Sequence, residues 1–564
     1  MAALLLFATM CAEAADVLFA DGRSPYTIVL SADASMSERT AAAELSDYLH
    51  QMSGARLPVA SIDTLSATGR RIYVGWHEDC RSPRPDAAYE GFTYRTVGHD
   101  LHIFGGSERG TMYGVFTFLE RELGVRWLTS SCTHVPQLRL HILPRLEHSE
   151  QPALRQRLVY CYDALRHNEW VAHNRLNNQR RTANGKYGPL SAFWGIHTFQ
   201  RLMPPERYFA EHPEYYSLVK GQRTAQAQLC LSNGAMVVEL TKNLISEIRK
   251  NPGYWCYDLS QNDNRLFCEC LPCQDLSERH GGLSGALLSV VNQVAADVAR
   301  EFPDVYVGTF AYGSTRRPPS DGTTVPAGNV VIRLCDGECC MTHPIDGCER
   351  NEAFAASLNQ WMKLTPNVYV WDYSTIFYNY LLPLPCFRAM AANYRLFART
   401  GVIGVMEEGA YDAPWSEFSE LKQWVAAKLM WTPEQDTDSL AAIFISSYYG
   451  AAAPFVQRYY DMCQRRAGDH HLTIYAKPSD PFFDESFATD ALWLIEDAVA
   501  AAADEATRQR TRRLEAQMRY LRLQRDAEGA QADGSLEKLR EIIHADSTIV
   551  REHGTTLQKM LDER

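Results

Sequence analysis

The chain has 564 residues, of which 46% are hydrophobic and 22% charged, with a formal net charge of -12. One hydrophobic core cannot organise that length, so about two to four domains are expected and a long disordered part is excluded. The acidic balance excludes nucleic acid as the main partner, because a phosphate backbone selects basic faces.

Residues 1–15 begin with a short apolar run and continue into Ala12-Glu13-Ala14, a small-x-small cleavage pattern. They read as a secretory signal peptide or its remnant, although no Lys or Arg precedes the run. The run is too short to span a bilayer, and no other membrane-length segment follows. The expected location is outside the cytoplasm, in a periplasm or at a bacterial cell surface.

Residues 16–150 read as a small α/β domain. Tyr26-Thr-Ile-Val-Leu30 and Arg71-Ile-Tyr-Val-Gly75 are strand-like, and 94–104 reads as a hairpin turning at Gly98-His99-Asp100. Between the two strands, Ser37 can cap a helix with Ala41, Leu45, Tyr48, Leu49 and Met52 on one face and Gly54 as its stop. The glycines of 105–114 have the wrong spacing for a dinucleotide loop and suit a close helix–sheet contact leading into a helix over 115–123. Arg71-Ile-Tyr-Val-Gly75 together with Gly105-Gly-Ser-Glu-Arg-Gly110 and the run to Leu128 resembles the non-catalytic N-terminal domain of β-hexosaminidases and α-glucuronidases. In those families it precedes a (β/α)8 barrel.

From 151 to 415 the pattern changes to apolar runs that end in polar or aromatic residues. They lie at 158–163, 170–174, 195–199, 255–263, 305–312, 330–336, 368–373 and 402–408. Helical segments such as 285–302 and 351–364 separate most of them, which is the rhythm of a (β/α)8 TIM barrel. The third unit is irregular, with a long connection over 200–230. Residues 416–564 read as helical, with amphipathic stretches at 416–431 and 438–449 and one long periodic stretch at 488–526. The fold class expected is α/β: an α/β N-terminal domain, a central barrel and a C-terminal helical region.

Asp163, Asp263, Asp336, Asp372, Glu407 and Glu408 fall at the carboxyl ends of these runs. Acids gathered in one concave site divide into proton donors and ionised partners, which is what glycoside hydrolysis requires. Asp263 is the expected general acid. Glu407, Glu408 and Asp372 are the expected polarising base or nucleophile, and Glu407 and Glu408 should point opposite ways on an extended strand. Asn262 beside Asp263 suits the substrate-assisted variant, in which the sugar's N-acetyl oxygen attacks. Tyr312, Trp371, Tyr373 and Tyr378 can stack on sugar rings, while Asp336, His197, Arg175 and Asn177 can grip hydroxyls or an acetamido group. No cofactor is expected for catalysis, and the spacing shows no His/carboxylate set for a catalytic metal.

Of the 15 cysteines, those from Cys268 to Cys348 are clustered in two groups. Cys268, Cys270 and Cys273 follow the fourth run, and Cys335, Cys339, Cys340, His343 and Cys348 follow the sixth. Three close thiols suggest a structural zinc with a fourth ligand from the second group, and disulfides across the two loops are the alternative.

The stretch Ser260-Gln-Asn-Asp-Asn-Arg265, the two cysteine groups and Trp371-Asp-Tyr373 resemble the domain family numbered 4838, whose characterised members form glycoside hydrolase family 163. The resemblance implies an endo-β-N-acetylglucosaminidase that cuts the chitobiose core of complex N-glycans, with a glycan or glycoprotein as partner. It supplies no catalytic positions. An exo-acting α-glucuronidase or hexosaminidase and a non-catalytic glycan-binding protein are the alternatives.

Overall fold

The computed structural model describes residues 16–65, 69–83, 85, 86, 90–178, 185–189, 192–377, 379–414, 416–546, 551, 552 and 555–562. The leader-like residues 1–15 and Tyr378 lie outside them. The described residues form two compact units, the first comprising those within 16–127, 131–152 and 185–189 and the second the remainder.

The first unit is built on a six-stranded sheet ordered 147–150, 92–97, 100–105, 70–74, 26–30, 59–61. Its first helix, Met36–Ser53, is capped two residues earlier than the expected Ser37. Ser35 is the cap, with its Oγ accepting from the Glu38 N–H while the Glu38 carboxylate accepts from the Ser35 N–H. The helix stops at Gly54 in the left-handed region, as expected. The second helix is Ser107–Arg121, longer than the 115–123 expected. The glycines before it make a close contact. A Cβ on Gly105 would lie 2.3 Å from the Gly110 carbonyl carbon, and one on Gly110 would lie 2.6 Å from the Gly91 oxygen.

The second unit contains a curled, all-parallel sheet of seven strands. They are β1 (Gln156–Tyr160), β2 (Phe193–Trp194), β3 (Cys256–Asp258), β4 (Tyr306–Ala311), β5 (Val330–Cys335), β6 (Val368–Tyr373) and β7 (Gly404–Glu408). The order is β1-β7-β6-β5-β4-β3-β2, so β1 and β2 are the two edges; among the described residues the sheet has seven strands and stays open, where a closed barrel of eight was expected. Leu158, Cys256, Phe310, Val331, Tyr369, Trp371 and Met406 pack together inside the curl.

The run at 170–174, expected as a strand, is instead the helix Asn168–His173, which buries Trp170 and Val171. A short apolar run carries no period of its own, so either structure satisfies it. The chain then passes along the free edge of β1. The Asn177 and Asn178 N–H groups donate to the Arg157 carbonyl at 3.2 and 3.1 Å, and the Arg157 N–H donates to the Asn177 side-chain oxygen at 2.9 Å. An amide side chain stands where a strand carbonyl would, so no ladder forms there.

Helices Leu283–Glu301 and Glu352–Leu364 match the expected crossovers, and 200–230 is the expected irregular connection, with two four-residue helices. The stretch expected as one helix over 488–526 is two, Glu485–Ala501 and Glu505–Arg525. The first ends at Ala502, and Asp504 begins the second by accepting from the Thr507 N–H at 2.8 Å. By length and composition the stretch 437–467 could cross a bilayer, and 44% of its most apolar window is buried in the fold.

Candidate active site

The carboxyl ends of the strands open on a cavity of about 660 Å³. Its lining is mostly aromatic: Tyr160 from β1, Phe310 and Tyr312 at the end of β4, Trp371 and Tyr373 from β6, and Phe377, Tyr411 and Tyr475 from loops. Two carboxyl groups face it, Asp263 from the loop after β3 and Glu408 at the end of β7. Ile196, His197, Cys335 and Ile474 complete the wall.

Glu408 is 8% exposed and its Oε2 accepts the Trp371 Nε1–H at 2.7 Å. Burial pushes its carboxyl up to about 8; the Trp371 hydrogen bond and the Arg333 charge oppose that shift, and the Asp263 and Asp412 charges add to it. At neutral pH it therefore holds a proton. Asp263 sits at the exposed rim and hydrogen-bonds Tyr312, whose hydroxyl is held protonated by burial and by that neighbouring charge. The His197 Nδ1 meets the Gln261 carbonyl at 2.7 Å, which assigns its proton to Nδ1 and leaves Nε2 as the acceptor nitrogen. Its φ of 50° is uncommon for a non-glycine residue.

Below the cavity Arg333 is fully buried, with its guanidinium 4.7, 4.8 and 4.9 Å from the rings of Phe193, Phe310 and Trp371. It pairs with Asp258 at 3.2 Å. A lone Arg in the apolar run Val330-Val-Ile-Arg-Leu-Cys335 was the sequence signal for it. Tyr160, Tyr411 and Tyr475 carried no distinguishing signal among 28 tyrosines.

The other acids expected on this rim are not brought to it. Successive side chains on a strand alternate faces, and β6 and β7 are in register with Asp372 opposite Glu407 and Tyr373 opposite Glu408. Glu408 therefore faces inward, while Glu407 faces the helix Phe387–Thr400 and accepts the Tyr394 hydroxyl. Asp372 and Asp336 hydrogen-bond each other on that same outer face. Burial pushes Asp372 up to about 6 and Asp336 and Glu407 well above the usual carboxylate range, so a shared proton binds the pair. Asp163 is taken up by Ser130, whose N–H and Oγ donate to it.

Asn262 is also elsewhere. Its side chain accepts from the Gln200 N–H and donates to the Ala227 carbonyl, bracing the long connection. Arg175 and Asn177 lie at the amino end of β1, where the Arg175 carbonyl accepts from Arg157 and Asn177 donates to the Arg155 carbonyl. They are distant from the strand ends that form the cavity because a connection, not a strand, carries them. His197, Tyr312, Trp371 and Tyr373 do line it.

The cysteines divide into two clusters. Cys230, which sequence reading passed over, joins Cys268, Cys270 and Cys273; Cys340, His343 and Cys348 join His471. The fourth partner of the first group is thus not drawn from the second. Cys335 lines the cavity, and Cys339 belongs to neither cluster. Every described cysteine is free, so no disulfide links the two loops among the described residues.

Comparison with known proteins agrees with the two-part organisation. Residues 20–118 match the Glycosyl hydrolase family 67 N-terminus. Over 85 residues the chain is 40% identical to a probable alpha-glucuronidase A of Aspergillus terreus (strain NIH 2624 / FGSC A1156), a match that spans 14% of this chain and 10% of that protein. Among solved structures, a family GH115 4-O-methyl-alpha-glucuronidase with specificity for decorated arabinogalactans aligns over 94% of this chain and 76% of its own, with a TM-score of 0.58 at 11% identity. That likeness is one of fold. Residues 127–461, more than half of the chain, match the Domain of unknown function (DUF4838), and the chain belongs to that family.

Proposed function

We propose that the chain is a glycoside hydrolase acting in the aromatic cavity, with Glu408 as general acid and Asp263 as the second carboxylate. The observation that carries the reading is Glu408: a buried carboxyl, oriented by Trp371, that keeps its proton at neutral pH and faces Asp263 across a cavity of sugar-binding character. Glu408 would give its proton to the glycosidic oxygen as the bond to the anomeric carbon breaks. Asp263 would stabilise the positive charge left on the sugar, directly or through an N-acetyl oxygen that attacks from within the substrate. This exchanges the role first expected for Asp263, because the rim position exposes it while burial belongs to Glu408.

The substrate class we propose is an N-acetylglucosamine-containing glycan, cut at the chitobiose core of complex N-glycans by an exported enzyme. The loop after β3, the cysteine groups and Trp371-Asp-Tyr373 support it through their resemblance to family 163, and the apolar residues 1–15 support export. The family 67 N-terminus favours a second reading, an exo-acting α-glucuronidase. A uronate needs a cation, yet among the described lining residues there is no Lys or Arg. Arg333 lies beneath the floor and is engaged by Asp258 and three rings.

Incubation with a complex N-glycoprotein, followed by mass spectrometry of the released sugars, separates the readings. Release of an intact oligosaccharide is expected. Release of a single uronic acid from a glucuronate-capped oligosaccharide tried in parallel would establish the second reading, and binding of either substrate without release would remove catalysis altogether.

A further inference from the structure

We propose that the chain binds two zinc ions at two separate four-ligand sites, Cys230/Cys268/Cys270/Cys273 and Cys340/His343/Cys348/His471. In each set the ligand atoms lie within 4.8 Å of one another. Zinc bound tetrahedrally by thiolates at about 2.3 Å sets neighbouring sulfurs about 3.8 Å apart. The sulfur separations are 3.4 Å for Cys268–Cys270, 3.8 Å for Cys230–Cys270 and 3.7 Å for Cys230–Cys273. In the second set the Cys340 Sγ is 3.2 Å from the His343 Nδ1 and 3.3 Å from the His471 Nδ1, and the Cys348 Sγ is 3.6 Å from the His471 Nδ1. A nitrogen ligand at about 2.0–2.1 Å shortens the edge in that direction.

The surroundings complete both sites. The Leu218 N–H reaches the Cys268 Sγ at 3.2 Å and the Arg223 guanidinium reaches it at 3.7 Å, so an anionic four-thiolate centre has a donor and a counter-charge. Cys270 also precedes the helix Leu271–Arg279, with Cys273 in its first turn. At the second site the His343 Nε2 lies 3.1 Å from the Gly468 carbonyl. That bond places the ring proton on Nε2 and turns the bare Nδ1 lone pair towards the thiols, the orientation that ligating histidines take from an outer partner. Loading zinc releases a thiol proton from each cysteine to solvent, and no redox partner is required.

Both ions would secure walls of the cavity. Cys268 closes the loop that carries Asp263, and Gln228 Nε2 holds the Asn262 and Asn264 carbonyls on either side of that acid at 2.8 and 2.9 Å. His471 ties the loop after β5 to the segment that delivers Ile474 and Tyr475. Thr342 supports the same join by donating to the His470 carbonyl at 2.6 Å. Metal content at these two sites is independent of whether the cavity is catalytic.

The test is elemental analysis by inductively coupled plasma mass spectrometry of the full chain, purified without chelator. Two zinc ions per chain are expected in the parent, and one in each of Cys230→Ser and His471→Ala. A parent with one ion or none overturns the two-site assignment, as does an intact denatured mass lighter by two hydrogen atoms per cysteine pair, the signature of disulfides. Should either variant fail to fold, the parent count still decides. Release of two equivalents to a chromophoric chelator after mercurial treatment of the thiols would support it independently.

Discussion

Glu407 and Glu408 are neighbours in sequence and lie on opposite faces of one sheet, and that parity separates a cavity acid from a packing acid. The expectation of opposite directions was legible from extended geometry alone. Which of the two faces inward was not, because a parallel strand buried on both sides is apolar on both faces and hides its register. The same ambiguity drew Asp372 and Asp336 into the expected site. The Glu408 carboxyl, pushed up to about 8, gives two outcomes of one sign. The rate, which needs the protonated form, is expected to hold through neutrality and fall as pH rises through about 8, read from a pH–rate profile. Its folded-state value lies above its ordinary 4.5, so its contribution to stability is full below about 4.5 and is lost as pH rises towards 8. Asp372, pushed up to about 6, acts in the same direction. The thermal midpoint is therefore expected to decline across that window. Trp371→Phe removes a donor that favours the anion, so the alkaline limb of the rate profile should move upward. Tyr394→Phe removes a donor to the buried Glu407 and should cost about 1–3 kcal/mol in denaturant unfolding while leaving the pH–rate limb in place.

β4 to β7, the crossovers and the helix Met36–Ser53 were legible because each carries an apolar period or a cap, whereas the two-residue β2 lies just before the run expected at 195–199. The helix Asn168–His173 was not, since Trp170-Val-Ala172 is too short to express a period. Nor was the break at Asp504, which needs no Gly or Pro when an aspartate side chain caps the next helix. The pairing of β7 with β1 depends on a residue of no chemistry. Gly404 is paired with Gln156 on one side and Tyr369 on the other. A Cβ there would lie 2.3 Å from the Gln156 Cβ and 2.4 Å from its carbonyl oxygen. Neither flanking strand can yield without breaking a ladder. Gly404→Ala is expected to destabilise by roughly 1–3 kcal/mol, the usual range for an overpacked core, seen as a lower urea midpoint at unchanged slope.

At the scale of the whole molecule, the site is assembled from residues that sequence distance conceals. Asp263 and Glu408 were found because each ends a strand run, whereas Tyr475 arrives from the helical region after the sheet is complete. Cys230 and His471 are likewise remote from the clusters they join. The net charge of -12 does not extend into the cavity as a dense set of charges, since among its described lining residues the titratable groups beside tyrosines and Cys335 are two carboxyl groups and one histidine. Binding of a neutral glycan should therefore change little when salt is raised enough to shorten the Debye length from about 10 Å to about 3 Å, read as a constant KM.

The most direct measurement is the hydrolysis rate of Glu408→Gln beside the parent chain on the same complex N-glycoprotein, with thermal melts of both. Glutamine keeps the shape and can still accept from Trp371, but it has no proton to give. The rate is expected to fall roughly 10²–10⁴-fold with the melting temperature unchanged or slightly raised. A well-folded Glu408→Gln that turns over at the parent rate would contradict the assignment of the proton to this residue.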